Sequence, residues 1–418
     1  MSTILIWLAF YLSNLIMPRY FVITIIFSVA CSSGGNKIQN EIFTVPTEIA
    51  SKSGLNYNLK IIDTLFIPVD STTRAVNHVN FHYSSDKDEL LFDYNPANHS
   101  IQAYNLHSKT KEYHVYLQKT GPEKLEEVIG MYVHSPDSIF LITESPKRRI
   151  VLIDKQGTIF KDWLVKDALA NNEDYDLYFS DNFVPTYNSK INSLVIGIAP
   201  YIEPWKPAYY EQPFLVEYDF SKERVVQQYG YFPYPGEIYF FQEELGRFKY
   251  DNKEVVHFYG SDMYFIHDYQ TKKLEKIVKV PSKYIKGRIP AIGKQILKDE
   301  DMTAQSKYFL ETGSYMATRY DPYSKMMYRL VKKPMDYLNL DGIRKSYNEI
   351  EYSLMLLNNN FEIIDEIDLE AGHFNTKMIF LNEKGLWISA NNPLNSSIDE
   401  DILTLICFKP IITQPLAL

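Results

Sequence analysis

Beyond about residue 58 the chain reads as short runs of four to eight Val, Ile, Leu, Tyr and Phe residues broken by polar reversals, with no sustained helical period. Such runs predict strands. The reversals form two interleaved series. One joins an apolar strand end to Asn or Asp, at Asn105, Asp154, Asp219, Asp268 and Asn358. The other covers residues 84–88, 134–138, 187–192, 251–253, 321–325 and 382–385. Asp, Asn, Ser, Pro and Gly collect there because they accept turn dihedrals or hydrogen-bond their own backbone. The base spacing within a series is about 50 residues, the length of a four-stranded propeller blade.

Six copies of the second series predict an all-β fold, a six-bladed β-propeller of four-stranded blades over residues 58–410. The last unit supplies three strands only, near residues 376–381, 386–390 and 402–408. A strand at residues 59–68 is expected to complete it, closing the ring with both chain ends and removing open sheet edges. A β-sandwich pair or an irregular all-β fold is the competing architecture, and turns in phase count against it. With strands labelled A to D from the axis outward, A–B and C–D turns share one face and B–C and D–A connections the other. The second face holds the long segments, residues 168–181, 200–213, 231–245, 281–305, 332–349 and 391–400. Long aromatic loops gathered on one face point to a working surface.

Composition supports strands, since 33 Tyr and 24 Phe stand against 17 Gly. Acids outnumber bases, 52 to 43, for a net charge of −9. That balance argues against a nucleic-acid groove, which needs clustered positive charge. A monomer is the expected state.

The N-terminus carries two apolar stretches, residues 3–17 and 20–30, separated by Pro18 and Arg19. With translation starting at Met17, Arg19 supplies a basic flank and residues 20–30 an apolar segment too short to span a bilayer. Ser28-Val29-Ala30-Cys31 then resembles a bacterial lipoprotein signal, with Ser28 where leucine is commonest. In that reading the Cys31 thiol is acylated and becomes the new N-terminus. Residues 1–30 form the signal segment, 31–57 a tether opening on Ser32-Ser33-Gly34-Gly35-Asn36, and 411–418 a C-terminal tail. The alternative is one membrane anchor over residues 4–30, against which the charge of Arg19 at mid-span counts. Either reading exports the domain to the cell envelope, on the inner or the outer membrane.

Candidate chemistry lies on the long loops. Tyr201, Trp205, Tyr209 and Tyr210 offer rigid rings for a sugar or peptide, or cover neighbouring blades. Arg148, inside Lys147-Arg148-Arg149, either meets an anion or is solvated surface charge. His78 and His82 would stand about 13 Å apart along a strand, and His99, His107 and His114 fall on different strands or turns, so no metal is expected. No cofactor is expected either. Cys407 sits in an apolar run and reads as a small buried hydrophobe. Nucleophile-elbow, zinc-protease and P-loop patterns are missing, and Asp174 with Asp176 does not nominate an acid/base couple in an acidic chain.

The stretch Arg319-Tyr320-Asp321-Pro322-Tyr323-Ser324-Lys325-Met326-Met327-Tyr328-Arg329 is specific enough to name a likeness. With Gly121-Pro122, the lipoprotein-like start and the blade rhythm, it resembles the uncharacterised Bacteroidota lipoproteins grouped as domain-of-unknown-function family DUF4221. The resemblance runs from about Leu59 to Phe408 and implies a six-bladed propeller. It implies no activity or ligand. Arg319, Asp321, Tyr323, Tyr328 and Arg329 are expected to form a structural motif, the two arginines bracing blade against blade.

The leading functional expectation is a membrane-tethered module that binds a glycan, peptide or envelope protein. The alternative is a polysaccharide hydrolase or lyase with its site at the propeller axis, and a third reading is a structural scaffold. Carboxylates or histidines converging at the axis favour the enzyme; an aromatic shelf favours the binder.

Overall fold

Glu89–Asn95 reads Glu-Leu-Leu-Phe-Asp-Tyr-Asn, and every residue after the first is buried. A strand buried on both faces lies inside a stack of sheets. The computed structural model describes residues 45–412 apart from 54–56, 71–72, 74–77, 123, 145–147, 166–174, 180–182, 235–236, 238, 240–243 and 294–301. The expected signal segment, Cys31 and residues 413–418 lie outside the described residues. Among the described residues no helix is long and apolar enough to cross a membrane.

The strands in chain order are β1 (Thr47–Ile49), β2 (Tyr57–Pro68), β3 (Asn80–Ser84), β4 (Glu89–Asn95), β5 (Ser100–Asn105), β6 (Thr110–Tyr116), β7 (Val128–Ser135), β8 (Ser138–Thr143), β9 (Arg149–Ile153) and β10 (Ile159–Leu164). Then come β11 (Tyr175–Leu177), β12 (Thr186–Asn188), β13 (Ser193–Pro200), β14 (Pro213–Asp219), β15 (Arg224–Tyr231), β16 (Leu245–Tyr250), β17 (Lys253–Phe258), β18 (Met263–Asp268) and β19 (Leu274–Lys279). The last are β20 (Ser314–Asp321), β21 (Met326–Lys332), β22 (Tyr352–Asn358), β23 (Ile363–Asp368), β24 (Asn375–Asn382), β25 (Gly385–Ser389) and β26 (Ile402–Ile412).

They form six sheets, the six blades of a propeller. Blades 1 and 2 are β3 to β6 and β7 to β10; blades 4 and 5 are β16 to β19 and β20 to β23. In blade 3 the inner strand is broken, β11 and β12 both pairing with β13 before β14 and β15 follow. Blade 6 joins β24, β25 and β26 to β2. Its closing pair runs from Tyr57↔Ile412 to Pro68↔Ile402.

A shared turn geometry makes the repeat. Asn105, Asp154, Asp219, Asp268 and Asn358 each accept through a side-chain oxygen from the backbone N–H two residues on. Each turn also holds one residue of positive φ: Lys109, Gly157, Glu223, Lys272 and Phe361. Every C–D pair carries a register shift beside the turn. The closing pair has the same shift, between Ile61 and Asp63, although no turn links its strands. So β2 takes the geometry of an ordinary outer strand.

Within the stretch expected as tether, residues 46–53 lie along two blade edges. β1 pairs in parallel with β19, and Lys52 bridges Ile363 of β23. The side chains of β1 are all exposed, so backbone bonds hold this strap, helped by the Glu48–Lys276 ion pair and a Ser51–Glu362 hydrogen bond.

Apolar side chains fill the seams between blades. Leu90, Phe92 and Tyr94 meet Met131 and Leu141 of blade 2. Leu91 points the other way, to Leu65, Ile67, Trp387 and Cys407 of blade 6. Cys407 is free and buried, and burial pushes its thiol up to about 12.

The connection from blade 4 to blade 5 holds the helix α1 (Thr303–Glu311). Buried Lys332 of β21 donates to the carbonyls of Phe309 and Thr312 at its C-terminal end. Burial pulls this ammonium from 10.5 down to about 7. Between those values the unfolded chain holds a proton that the folded chain gives up. Stability therefore rises with pH across that window, and the burial cost is carried in full below it. Relative to Lys332→Met, the native protein should gain up to about 1.4 kcal/mol per pH unit between pH 7 and 10. Urea unfolding of both proteins at pH 6, 8 and 10 measures this, and parallel profiles would rule it out.

Candidate functional site

The inner strands surround an axial cavity of ≈ 210 Å³, lined by described residues of five blades. Its apolar wall comes from Ile129 and Met131 of β7, Phe183 and Val184 ahead of β12, and Ile379, Phe380 and Leu381 of β24. Polar groups enter from His78, Asn80, His82 and Arg319. Gly130 is required beside it, since a Cβ there would stand 2.8 Å from the Phe179 ring.

Each polar group is set by its neighbours. Asn80 donates to the Lys377 carbonyl at 3.0 Å, and Lys377 Nζ lies 2.8 Å from His78 Nε2. His82 stacks on Phe380 and meets Glu89 Oε1 at 3.1 Å, while Asn382 donates to the same carboxylate at 2.6 Å. Arg319 reaches from β20 toward blade 6, donating to the carbonyls of Ile379 at 3.3 Å and Thr318 at 3.1 Å. Burial lowers its guanidinium to about 10, so it is charged at neutral pH. His257 of β17 is fully buried, and Gly246 leaves room for its ring. Burial, and then the charges of Arg329 and Arg319, hold that imidazole neutral.

The two arginines of the Arg319–Arg329 stretch have different surroundings. Arg329 is buried between the rings of Tyr264, 4.4 Å away, and Tyr315, 4.1 Å away. It donates to the carbonyls of Ser261, Asp262 and Val280, so it ties blade 5 to blade 4. Arg319 faces the axis. Asp321 caps its own turn, accepting from Tyr323 N–H and from Ser324. Tyr323 is exposed, and Tyr328 is buried in the seam between blades 5 and 6.

The aromatic loop splits likewise. Tyr209 and Tyr210 are buried, and Tyr210 donates its hydroxyl to the Tyr239 carbonyl at 2.5 Å, so these two rings cover the blades. Trp205 is half-buried and Tyr201 exposed. Arg148 is buried rather than solvated, 3.0 Å from Asp176 and 5.8 Å from the centre of the Tyr201 ring. The neighbouring Lys147 lies outside the described residues. Among the described residues no group of three His, Cys, Asp or Glu side chains is placed to hold a metal. Phe183, Val184 and Asn80 carry no local signal in the sequence of facing an axis, being a Phe-Val pair in a loop and an Asn that opens a strand.

A family model described as a domain of unknown function (DUF4221) matches residues 56–368. The crystal structure of a DUF4221 member from Bacteroides vulgatus superposes with a TM-score of 0.76 at 20% identity, covering 86% of this chain and 100% of that one. A Bacteroides fragilis protein designated as exported superposes with a TM-score of 0.52 at 8% identity, covering 89% and 100%. No curated protein matches the chain.

Proposed function

The chain belongs to the DUF4221 family, and from that premise we propose that it is an exported, membrane-tethered binding module whose ligand seats in the axial cavity. The observation that carries this reading is the cavity, with apolar walls and a few converging polar groups. By strand order, the described long connections at residues 200–213, 332–349 and 391–400 leave on the face from which inner strands β3 and β7 start, as an entrance would need. A glycoside hydrolase needs two carboxyl groups across the scissile bond. The described lining residues include none, and the two lining histidines are each engaged through one ring nitrogen, His78 with Lys377 and His82 with Glu89, so the binder is favoured over the hydrolase.

Export and tethering rest on the sequence around Cys31. Cys31→Ala should abolish lipid labelling and move the protein from the membrane to the soluble fraction. Retention in the membrane would favour an apolar anchor over residues 4–30 instead.

For binding, the test is a panel of glycans and peptides offered to the native protein and to Val184→Trp, which narrows the cavity. Capture that is lost in the variant supports the reading. Capture unchanged by it would move the site to the loops, where the rings of Tyr201 and Trp205 and the Arg148–Asp176 pair are the next candidates.

A further inference from the structure

We propose that the axial cavity selects a small organic anion, a monosaccharide-sized carboxylate, with Arg319 as its counter-charge; this deepens the binding reading above and rests on it. Four features of the structure carry the inference. The first is size. A cavity of ≈ 210 Å³ has room for about seven waters at their liquid volume. That matches one sugar ring.

The second is charge. Arg319 brings a guanidinium to the cavity wall, and none of the described lining residues is acidic. Burial shifts Arg319 below its ordinary value, as expected for a cation in a poorly solvated place. An anion entering there would meet that charge at low effective dielectric, where the attraction is several times its value in water. A guanidinium also presents a planar fork that matches a carboxylate.

The third is a buried, neutral imidazole near the two arginines. His257 stands within the electrostatic reach of both Arg319 and Arg329 and is held neutral by burial and by their charge. Both of its ring nitrogens are buried with no hydrogen-bond partner in the described structure. His257 therefore adds no charge to that of Arg319. The fourth is the remaining lining. Asn80, His78 and His82 can meet hydroxyl groups, and Phe380 and Phe183 offer ring surface to an apolar sugar face.

The probes are glucuronate and glucose, which differ at one carbon by a carboxylate. Titration calorimetry and thermal shift on the full-length native protein should give glucuronate at least tenfold tighter binding than glucose. Arg319→Gln should bring glucuronate down to the glucose level, and Arg319→Lys should keep part of the difference. Equal binding of the two sugars by the native protein would overturn the anion selectivity, as would failure of glucuronate, galacturonate and citrate all to shift its melting temperature. Both of these readouts use the native protein, so they decide even if the variants do not fold. Should a neutral sugar alone bind, and bind less well to Val184→Trp, the binding-module reading survives while this one falls. Should binding persist unchanged in Val184→Trp, the axial site and this proposal both fail, and the ligand belongs on the loops instead.

Discussion

Removing residues 1–68 should abolish the cooperative unfolding transition, while removing residues 1–45 should leave it in place. The first deletion takes away β2, which pairs along its whole length with β26 and completes blade 6. It also strips the seam to blade 1 of Leu65 and Ile67, which pack with Leu91, Leu403 and Leu405. Truncating one such buried side chain to alanine costs about 2–5 kcal/mol. Losing two together with a strand of backbone bonds exceeds the total stability of a typical domain, about 5–15 kcal/mol. An open ring would also present β26 as an unpaired edge, an invitation to association. The shorter deletion spares the strap, which starts at Pro46, whose carbonyl accepts from Ile277. Urea or thermal unfolding followed by circular dichroism separates the two cases. A sigmoidal transition from the longer deletion would mean that five blades and a partial sixth stand alone.

Glu254→Gln is the substitution with the largest expected cost at a single position. Fully buried Glu254 accepts from Arg247 Nε at 2.6 Å, from Lys272 Nζ at 2.7 Å and from the Tyr229 hydroxyl at 2.8 Å. Arg247 in turn donates to Thr186 Oγ1 at 2.7 Å and to the Val184 carbonyl at 3.3 Å, so the cluster joins blades 3 and 4 and fixes one wall of the cavity. Burial alone would raise the Glu254 carboxyl, but the charges of Arg247 and Lys272 prevail and hold it at about 2. Neutralising it leaves two buried cations without a counter-charge, a loss of about 3–5 kcal/mol. Replacing all three charged groups with apolar residues of similar volume should recover much of that loss, since the ion cluster is offset by its own desolvation. The pH dependence follows from the depressed value. The contribution is present above the ordinary 4.5 and is lost as pH falls toward 2. A Glu254→Gln protein as stable as the native one at pH 7 would show that water reaches this seam.

The parts of the fold visible in the sequence were those fixed by local chemistry. The five C–D turns were legible because Asn or Asp does the same work in each, capping a reversal with its own side chain. Ring closure followed from a blade with three strands and an unassigned strand at the other end. The strap at residues 46–53 had no such mark. Thr47, Glu48 and Ile49 point to solvent, and a strand held by backbone bonds and one exposed Glu48–Lys276 ion pair leaves no hydrophobic period to read. The broken inner strand of blade 3 was hidden for a related reason. β11 fell inside a segment read as loop, and Gly197, which lets the Tyr178 carbonyl come within 2.2 Å of where a Cβ would sit, is one residue in an otherwise ordinary apolar run.

The axial cavity was the least legible feature. Arg319 and Arg329 were recognised as a pair, and a bracing role was expected of both. In the hairpin, Arg319 is paired with Tyr328 and Arg329 with Thr318, so the two arginines fall on opposite faces of one sheet. One face meets blade 4, and there Arg329 is buried among carbonyls and rings. The other side lets Arg319 reach the axis and blade 6. Register decides between these fates, and register depends on a shift between Tyr315 and Thr318 that composition does not announce. Tyr209 and Tyr210 show the same limit, because a ring on a long loop can turn outward or in, and here both turn in.

Amide hydrogen exchange of the intact protein tests most directly whether both chain ends close the ring. Amides of β2 and β26 should exchange at the rate of the slowest amides in β8, β17 and β21, in one opening whose free energy equals the global value. Exchange of β2 many times faster than the blades, with β26 still protected, would contradict the closed ring and the cavity at its axis.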